Sequence, residues 1–239
     1  MPEISFLLIA GLAVFLGSVV QSGVGLGLGL VAAPVVAFVE PALVPGTLLV
    51  TAAVLPMLTV RSEWQHIDWR GVAWGLPARV PGAAAGVWLV AVVDPRTLGA
   101  VVGLVVLLAV AATLWSVRVP LTPVSLITAG AASGLSGTAT SIGGPPLALL
   151  YQHEPAPRVR GTLGAFFLLG TLMSLAALAI GGQLPREQVF AGLVLIPFVI
   201  AGYLAGGPVR SRVGVRGVRA ALLVVVTVSG VALITRSLL

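Results

Sequence analysis

The chain of 239 residues has no cysteine and no lysine, and only 8% of its residues are charged. Without cysteine it forms no disulfide and no thiolate metal site, and a cysteine nucleophile is excluded. The seven acids and two histidines lie near the ends of apolar runs, so the spacing predicts no metal-ligand cluster. No G-x-x-x-x-G-K-[ST] loop for nucleotide phosphates is present. We therefore expect no enzyme activity, no metal and no cofactor.

The scarcity of charge accompanies an apolar composition, with 58% hydrophobic residues and a mean hydropathy of +1.13. A soluble domain carries about 25% charged residues, so the composition predicts an integral membrane protein. The apolar runs are long and continuous rather than alternating, which favours membrane-spanning helices. The first residues include Glu3 and no basic residue, so we expect a retained span over Ile4–Val20 rather than a cleaved signal peptide.

Ten apolar segments divide the chain into two similar halves, 1–120 and 121–239. The first half contains Ile4–Val20, Leu26–Val39, Ala42–Val60, Gly71–Val93 and Thr97–Val117. The second half contains Leu121–Ala132, Leu147–Tyr151, Gly161–Gly181, Gln188–Val209 and Ala220–Thr235. We predict an all-α polytopic membrane protein with one integral membrane domain, built from two repeats of five helical elements each.

Matching residues recur between the two halves at a nearly constant spacing. Gly23 and Pro34 are each followed 111 residues later by the same residue type, at Gly134 and Pro145, and Gly86 is followed 116 residues later by Gly202. Order and spacing together favour a duplication. Because five elements is an odd number, the second repeat is expected to enter the membrane in the opposite direction.

Arginine alone supplies the positive charge, and the formal net charge is +6. The arginines lie in short gaps between apolar runs, so a membrane-topology signal is favoured over nucleic-acid binding. When loop 210–219 is placed in the cytoplasm, nine arginines fall inside: Arg61, Arg70, Arg118, Arg158, Arg160, Arg210, Arg212, Arg216 and Arg219. Only Arg96, Arg186 and Arg236 fall outside. This distribution predicts that both termini are outside.

The stretch Ser133–Pro146 interrupts the second half with four glycines, three serines, two threonines, two prolines and no charge. Proline removes a backbone donor and glycine loosens the chain, so we predict no regular helix here. Gln21–Pro34 is a looser counterpart in the first half. Broken apolar segments at matching positions of two halves predict a transporter binding site at mid-membrane. The sequence leaves open whether these hairpins cross the membrane or are re-entrant.

Helices that begin at membrane depth direct unpaired N–H groups and a positive dipole end into the protein, which favours an anion. The predicted substrate-binding residues are therefore Gln21, Ser22, Gly23 and Gly25 in the first break, and Ser136, Gly137, Thr138, Thr140, Ser141, Gly143, Gly144 and Pro145 in the second. Close helix packing by small residues is the alternative. For Gly25–Gly29 the two interpretations stay equally open.

Arg79 is also a predicted substrate-binding residue. It lies between Pro77 and Pro81, roughly 13 Å inside its segment at 1.5 Å per residue. An arginine at such depth is costly and usually faces a cavity, and no acid is placed at matching depth. An anionic substrate is therefore a plausible partner. The alternative is snorkelling to the interface beside Asp68.

The run Gly134–Leu150, with its Gly143-Gly144-Pro145-Pro146 core, resembles the second-repeat motif of the TauE/SafE sulfite exporter family, also called the TSUP permeases. The glycine-rich segment 23–29, which is followed by Pro34, resembles the first-repeat motif of the same family. The resemblance implies a permease of the bacterial inner membrane for small anions such as sulfite or sulfonates. The matching positions are Gly23, Gly25, Gly27, Gly29, Pro34, Ser136, Gly137, Gly143, Gly144, Pro145 and Pro146.

The expected function is secondary transport of a small anion by alternating access of the two repeats. The alternatives are an anion channel on the same scaffold and a non-transporting membrane subunit of a partner complex. The expected partners are a small anionic substrate and the lipid bilayer, without nucleic acid. A homo-oligomer stays open, as do the direction of transport and the coupling ion.

Overall fold

The computed structural model describes the backbone of residues 4–114 and 118–238, and the side chains of these residues except 4, 24, 112–114, 207–222, 225 and 236–238. Every regular element in this part of the chain is helical. The α-helices are α1 Ile4–Val24, α2 Leu28–Val39, α3 Gly46–Ala52, α4 Val54–Glu63, α5 Trp69–Val92, α6 Pro95–Leu114, α7 Pro123–Thr140, α8 Pro145–Tyr151, α9 Ala156–Ile180 and α10 Arg186–Leu238. Short 3-10 turns lie at Pro41–Leu43 and Trp64–His66.

The predicted all-α fold is confirmed, although some segments are divided differently. The third predicted segment, Ala42–Val60, is split at Ala53, because Pro56 lacks the N–H that would continue the helix across that point. The last two predicted segments fall within α10, whose backbone is helical through the predicted loop 210–219. Arginine is a good helix former, so charge alone does not end a helix. The side chains of that loop and the predicted segment end at Val117 lie outside the described residues.

Four segments of the described chain are long and apolar enough to cross a membrane: Ser5–Gly23, Trp69–Val92, Ala156–Ile180 and Arg186–Gly206. By contrast, α2 has 12 residues and α8 has 7. These helices are roughly 18 and 10 Å long at 1.5 Å per residue. Neither is long enough to cross a hydrocarbon core of about 30 Å. The chain therefore turns at both breaks within the depth of the protein.

Small residues bring α5 and α7 into backbone contact. A Cβ atom added to Gly82 would overlap the carbonyl oxygen of Ala131, and one added to Gly130 would overlap that of Gly75. Farther along, Gly86 faces Leu135 and Thr138. Interfaces of this type replace the hydrophobic driving force that is missing between helices in lipid. These contacts advance in the same direction along both helices, which shows that α5 and α7 run parallel.

The two parts of α10 pack on different helices. Gly202 lies against Phe15 and Ser18 of α1, whereas Gly230 lies against Gly103 and Val106 of α6. A straight helix of 53 residues would be roughly 80 Å long, yet both parts join one apolar core with α1, α2 and α6. The two parts therefore behave as separate packing units.

The predicted interruption of the helix within Ser133–Pro146 is present but shorter than expected. Helix α7 continues to Thr140 and α8 begins at Pro145, so only Ser141–Gly144 form the break. The hydroxyl of Ser136 donates to the Ala132 carbonyl and that of Thr140 to the Ser136 carbonyl. Backbone acceptors one turn earlier thus satisfy these polar groups, while the small residues pack against α5. Similarly, 21–24 belong to α1, and the first break is confined to Gly25–Gly27.

The described helices form a bundle, and different kinds of contact hold the helices together at its two ends, which we call the first end and the second end. At the first end, Phe6, Glu40 and Gln188 line one cleft, and the Gln188 amide donates to the Ala42 carbonyl. At the second end, Arg160 pairs with Glu63, and Arg158 pairs with Asp68 and Glu154. Helices α3 and α4 together run from the first end, where Gly46 donates to Gln188 Oε1, to the second. Hydrogen bonds between neutral groups therefore hold the helices together at the first end, and ion pairs hold them together at the second end.

Asp68 holds several elements together at the second end. Its carboxylate accepts from the Gly71 N–H at the start of α5, from Tyr151 Oη at the end of α8 and from Arg158 in α9. Partial burial by itself would raise the pKa of the Asp68 carboxyl, but these hydrogen bonds and the nearby guanidinium outweigh it and hold the pKa below its usual value. Asp68 is therefore already engaged and does not pair with Arg79.

The α5–α7 contact predicts a position-specific cost of adding volume. Gly82→Leu should lower the free energy of unfolding by about 1–3 kcal/mol, because the new side chain would separate two backbones that touch. Ala84→Leu, two residues away on the exposed side of α5, is the matched control and should have little effect. Thermal unfolding of the purified protein in detergent measures both. Equal midpoints for the two variants would contradict the packing described here.

Candidate substrate site

The two breaks face each other across a cavity of about 50 Å³. Gly29, just after the first break, lies so close to Ser141 of the second that an added Cβ would stand 2.5 Å from the Ser141 carbonyl oxygen. Arg79 from α5 and Thr171 from α9 complete the polar lining, while Phe167 and Leu49 contribute apolar walls. Since about 10–15 Å³ of such space holds one water molecule, the cavity has room for a small polyatomic ion.

The first break directs the start of α2 toward this cavity. Gly25 has a φ of +91°, a left-handed conformation that glycine adopts without strain. The first amides of a helix have no partner within it. Here the Leu28 N–H donates to Gln21 Oε1 at 2.9 Å, while the next two residues, Gly29 and Leu30, line the cavity. The positive end of the α2 dipole therefore faces the cavity.

The second break brings two glycines to the same cavity. Ser141 ends α7 in a left-handed conformation with φ 63°, and its hydroxyl donates to the Pro45 carbonyl at 2.9 Å. Gly143 and Gly144 follow and line the cavity, and Pro145 opens α8. The Ser141 hydroxyl already has a partner within the protein. Ser141 therefore contributes to the cavity through its left-handed backbone turn and not through its hydroxyl.

Arg79 is buried at the wall of the cavity, with only 3% of its surface exposed. Its Nη1 donates to Ser133 Oγ at 2.6 Å and its Nη2 to Ser174 Oγ at 3.3 Å. The Ser133 hydroxyl in turn donates a hydrogen bond to the Gly143 carbonyl. A Cβ added to Gly170 would overlap the guanidinium, so this glycine leaves the room that the side chain occupies. The snorkelling alternative does not hold, since the side chain is not at the interface.

No carboxylate among the described residues contacts this guanidinium. Its hydrogen-bond partners are hydroxyls, and its Nε has no partner among the described groups. Glu63, Asp68 and Glu154 lie at helix ends and form ion pairs with other arginines. Asp94 also lies at a helix end, where it caps α6. Arginine does not lose its proton in proteins. Among the described residues, no acid neutralises the positive charge that Arg79 brings to the cavity wall.

The structure brings seven of the thirteen predicted residues to the cavity: Gln21, Arg79, Gly137, Ser141, Gly143, Gly144 and Pro145. The other six lie elsewhere. Ser22 donates to the Val19 carbonyl and faces Gly206, Gly23 lies one turn before the cavity-lining part of the break, and Gly25 lies against Arg160. Ser136 and Thr140 bond to carbonyls of α7, and Thr138 bonds to Ser174 at 2.8 Å. These six residues serve packing or support the wall.

Sequence reasoning missed the contribution of α9. Thr171 lines the cavity, is 7% exposed, and its hydroxyl has no hydrogen-bond partner among the described residues. Gly170 and Ser174, on the same helix, accommodate and bond Arg79. The available signal was the run Gly170-Thr171…Ser174, small and hydroxyl residues inside an otherwise apolar span. Ser133 was in the predicted break but was not named, although it joins Arg79 to the Gly143 backbone.

The sequence matches the family model described as Sulfite exporter TauE/SafE over residues 9–233. The chain belongs to the TauE/SafE family. This is a family of membrane transporters and not of enzymes, so the chain is a multi-pass membrane protein with a small-molecule substrate and lipid as its surroundings. The match covers both breaks and every cavity-lining residue. No curated protein and no solved structure matches the chain at a significant level.

The cavity geometry predicts that Gly144 cannot be enlarged without loss of function. A Cβ at this position would stand 3.0 Å from Phe167 Cζ, so the side chain of Gly144→Leu would fill the space that the ligand needs. We expect substrate flux to fall to background in proteoliposomes, while membrane insertion and the gel-filtration profile stay normal. Leu149→Phe, a partly buried position of α8 outside the cavity lining, is the control. Wild-type flux from Gly144→Leu would mean that the cavity is not the site.

Proposed function

We propose that this TauE/SafE protein is a secondary transporter of small anions, of the sulfite or sulfonate class, and that the cavity between the two breaks is its substrate site. The observation that carries the proposal is the buried charge of Arg79, which has no acidic partner among the described residues and lines the same cavity as the start of α2. A buried charge is strongly destabilising unless it is paired. An anion in the cavity would supply the missing partner.

Several contacts support two inverted repeats, 1–120 and 121–239. Gly86 faces Leu135 and Thr138, and Gly202 faces Phe15 and Ser18. The first members of these contacts are 116 residues apart and the second members 120. The pairing of Pro34 with Pro145 fits less well, because Pro34 lies inside α2 whereas Pro145 begins α8.

Direction of the helices supports inversion of these repeats. Helix α1 and the first part of α10 start at the first end, whereas α5 and α7 start at the second, next to Asp68. Each pair therefore mixes one helix from each half of the chain. A rocking motion of one pair against the other would expose the cavity alternately at the two ends, as in other inverted-repeat transporters.

The arginine distribution supports an orientation with both termini outside, and membership of the TauE/SafE family supports a location in the bacterial inner membrane. This orientation places the ion pairs of the second end in the cytoplasm and the cleft of the first end outside. Opening toward the cytoplasm would then separate Arg160 from Glu63 and Arg158 from Asp68. The cavity is small and bounded by side chains from both halves, which favours a carrier over a continuously open channel.

Substitution of Arg79 tests the proposal. Arg79→Gln removes the buried charge but keeps a hydrogen-bonding side chain, and anion affinity should fall at least tenfold, since charged hydrogen bonds contribute about 1.5–3 kcal/mol. Saturable counterflow of sulfite in proteoliposomes measures the affinity. Arg70→Gln, an exposed arginine near the start of the same helix, is the control.

The other outcomes discriminate between the alternatives. Unchanged affinity in Arg79→Gln would contradict the assignment of the site. Flux that does not saturate and shows no counterflow would indicate a channel. Absence of flux from the reconstituted wild-type protein, for sulfite and for sulfonates, would favour a non-transporting membrane subunit.

A further inference from the structure

We infer that the site selects its substrate by charge and takes a singly charged anion in preference to a doubly charged one. The inference rests on the proposed function and deepens it, because it specifies the protonation state of the ion that binds. It follows from three observations. The described lining of the cavity carries one full charge, the described groups that hold Arg79 are neutral, and Arg158 and Arg160 are paired with acids.

The charge at the cavity wall is a single guanidinium. Among the described lining residues, Arg79 is the one ionisable side chain, and the others are glycines, hydroxyl residues, Gln21 and apolar residues. The start of α2 adds a positive partial charge of about one half. One full charge and one partial charge face the ligand, which matches an anion of charge −1 more closely than one of charge −2.

The residues around Arg79 cannot adjust this charge. Ser133, Ser174 and Thr138 are all fully buried, and they connect to one another or to backbone through hydroxyl groups. Hydroxyls of serine and threonine do not titrate in the physiological range, and the guanidinium keeps its proton. The charge of the wall is therefore constant with pH, so a change of protonation must occur on the substrate.

Two of the arginines at the second end are paired with acids. Arg160 is paired with Glu63, and Arg158 with Asp68 and Glu154. These pairs contribute little net field to an ion deeper in the protein. A dianion at the cavity would leave one negative charge buried without a partner, which costs several kcal/mol even after relaxation. A monoanion leaves none.

Three probes of nearly equal size and different charge test the inference. Methanesulfonamide is neutral, methanesulfonate has charge −1, and sulfate has charge −2 at neutral pH. Each is added as a competitor of radiolabelled sulfite counterflow by the reconstituted full-length protein. We expect methanesulfonate to inhibit at a concentration at least tenfold below that required for either of the others, because tenfold corresponds to about 1.4 kcal/mol. This is less than the cost of one unpaired buried charge.

The pH dependence of sulfite transport gives a second measurement. Flux at subsaturating total sulfite should rise as the pH falls and the fraction of hydrogen sulfite increases. Apparent KM values should coincide at all pH values when they are calculated on hydrogen sulfite alone. KM values that coincide on the dianion concentration instead would overturn the inference.

Two variants separate charge selection from a structural role of Arg79. Arg79→Lys keeps the charge without the planar fork, so it should bind more weakly but retain the preference for methanesulfonate over methanesulfonamide. Arg79→Gln should lose that preference, and a preference that persists in it would contradict the role of Arg79. Wild-type protein in which sulfate competes as well as methanesulfonate would overturn charge selection while leaving anion transport intact. Wild-type protein without sulfite flux would instead remove the proposed function.

Discussion

Backbone contact between α5 and α7 places a buried arginine beside a broken helix. Gly75, Gly82 and Gly86 let the two helices touch, and this brings Arg79 of α5 within hydrogen-bonding distance of Ser133 of α7. Ser133 in turn holds the Gly143 carbonyl. The position of the second break, the orientation of the guanidinium and the shape of the cavity therefore depend on the absence of side chains at a few glycines.

The same constraint gives the site its chemistry. Polar groups in the interior of a membrane protein need partners, and here hydroxyls of α7 and α9 satisfy all but one nitrogen of the guanidinium. Neutral hydroxyls hold the cation in place without cancelling its charge. A carboxylate in the position of Ser133 or Ser174 would have formed an internal ion pair and left the cavity neutral. A positive wall and the open start of α2 together make the cavity suitable for an anion.

Much of the fold follows from local properties of the sequence, whereas the details of the site do not. The apolar runs, the breaks near Gly25 and Gly143 and the depth of Arg79 are visible in the residues themselves. The extent of the second break is not, because Ser136 and Thr140 have the composition of a loop but satisfy their hydroxyls within helix α7. Thr171 and Ser174 belong to an apolar span, where the local signal is limited to a few small and hydroxyl residues. Their role comes from helix α9 packing against Arg79.

Three properties can be read from the residues alone: the chain is helical and membrane-embedded, two glycine-rich breaks interrupt it, and one arginine lies deep in a span without a neighbouring acid. These properties depend on composition, order and the length of apolar runs. Three-dimensional packing brings the first break to face the second across one cavity, places seven of the predicted residues around it and turns Arg79 inward. These outcomes depend on contacts that no local pattern encodes, because Arg79 meets residues 54 and 95 positions away and Gly29 meets Ser141, 112 positions away.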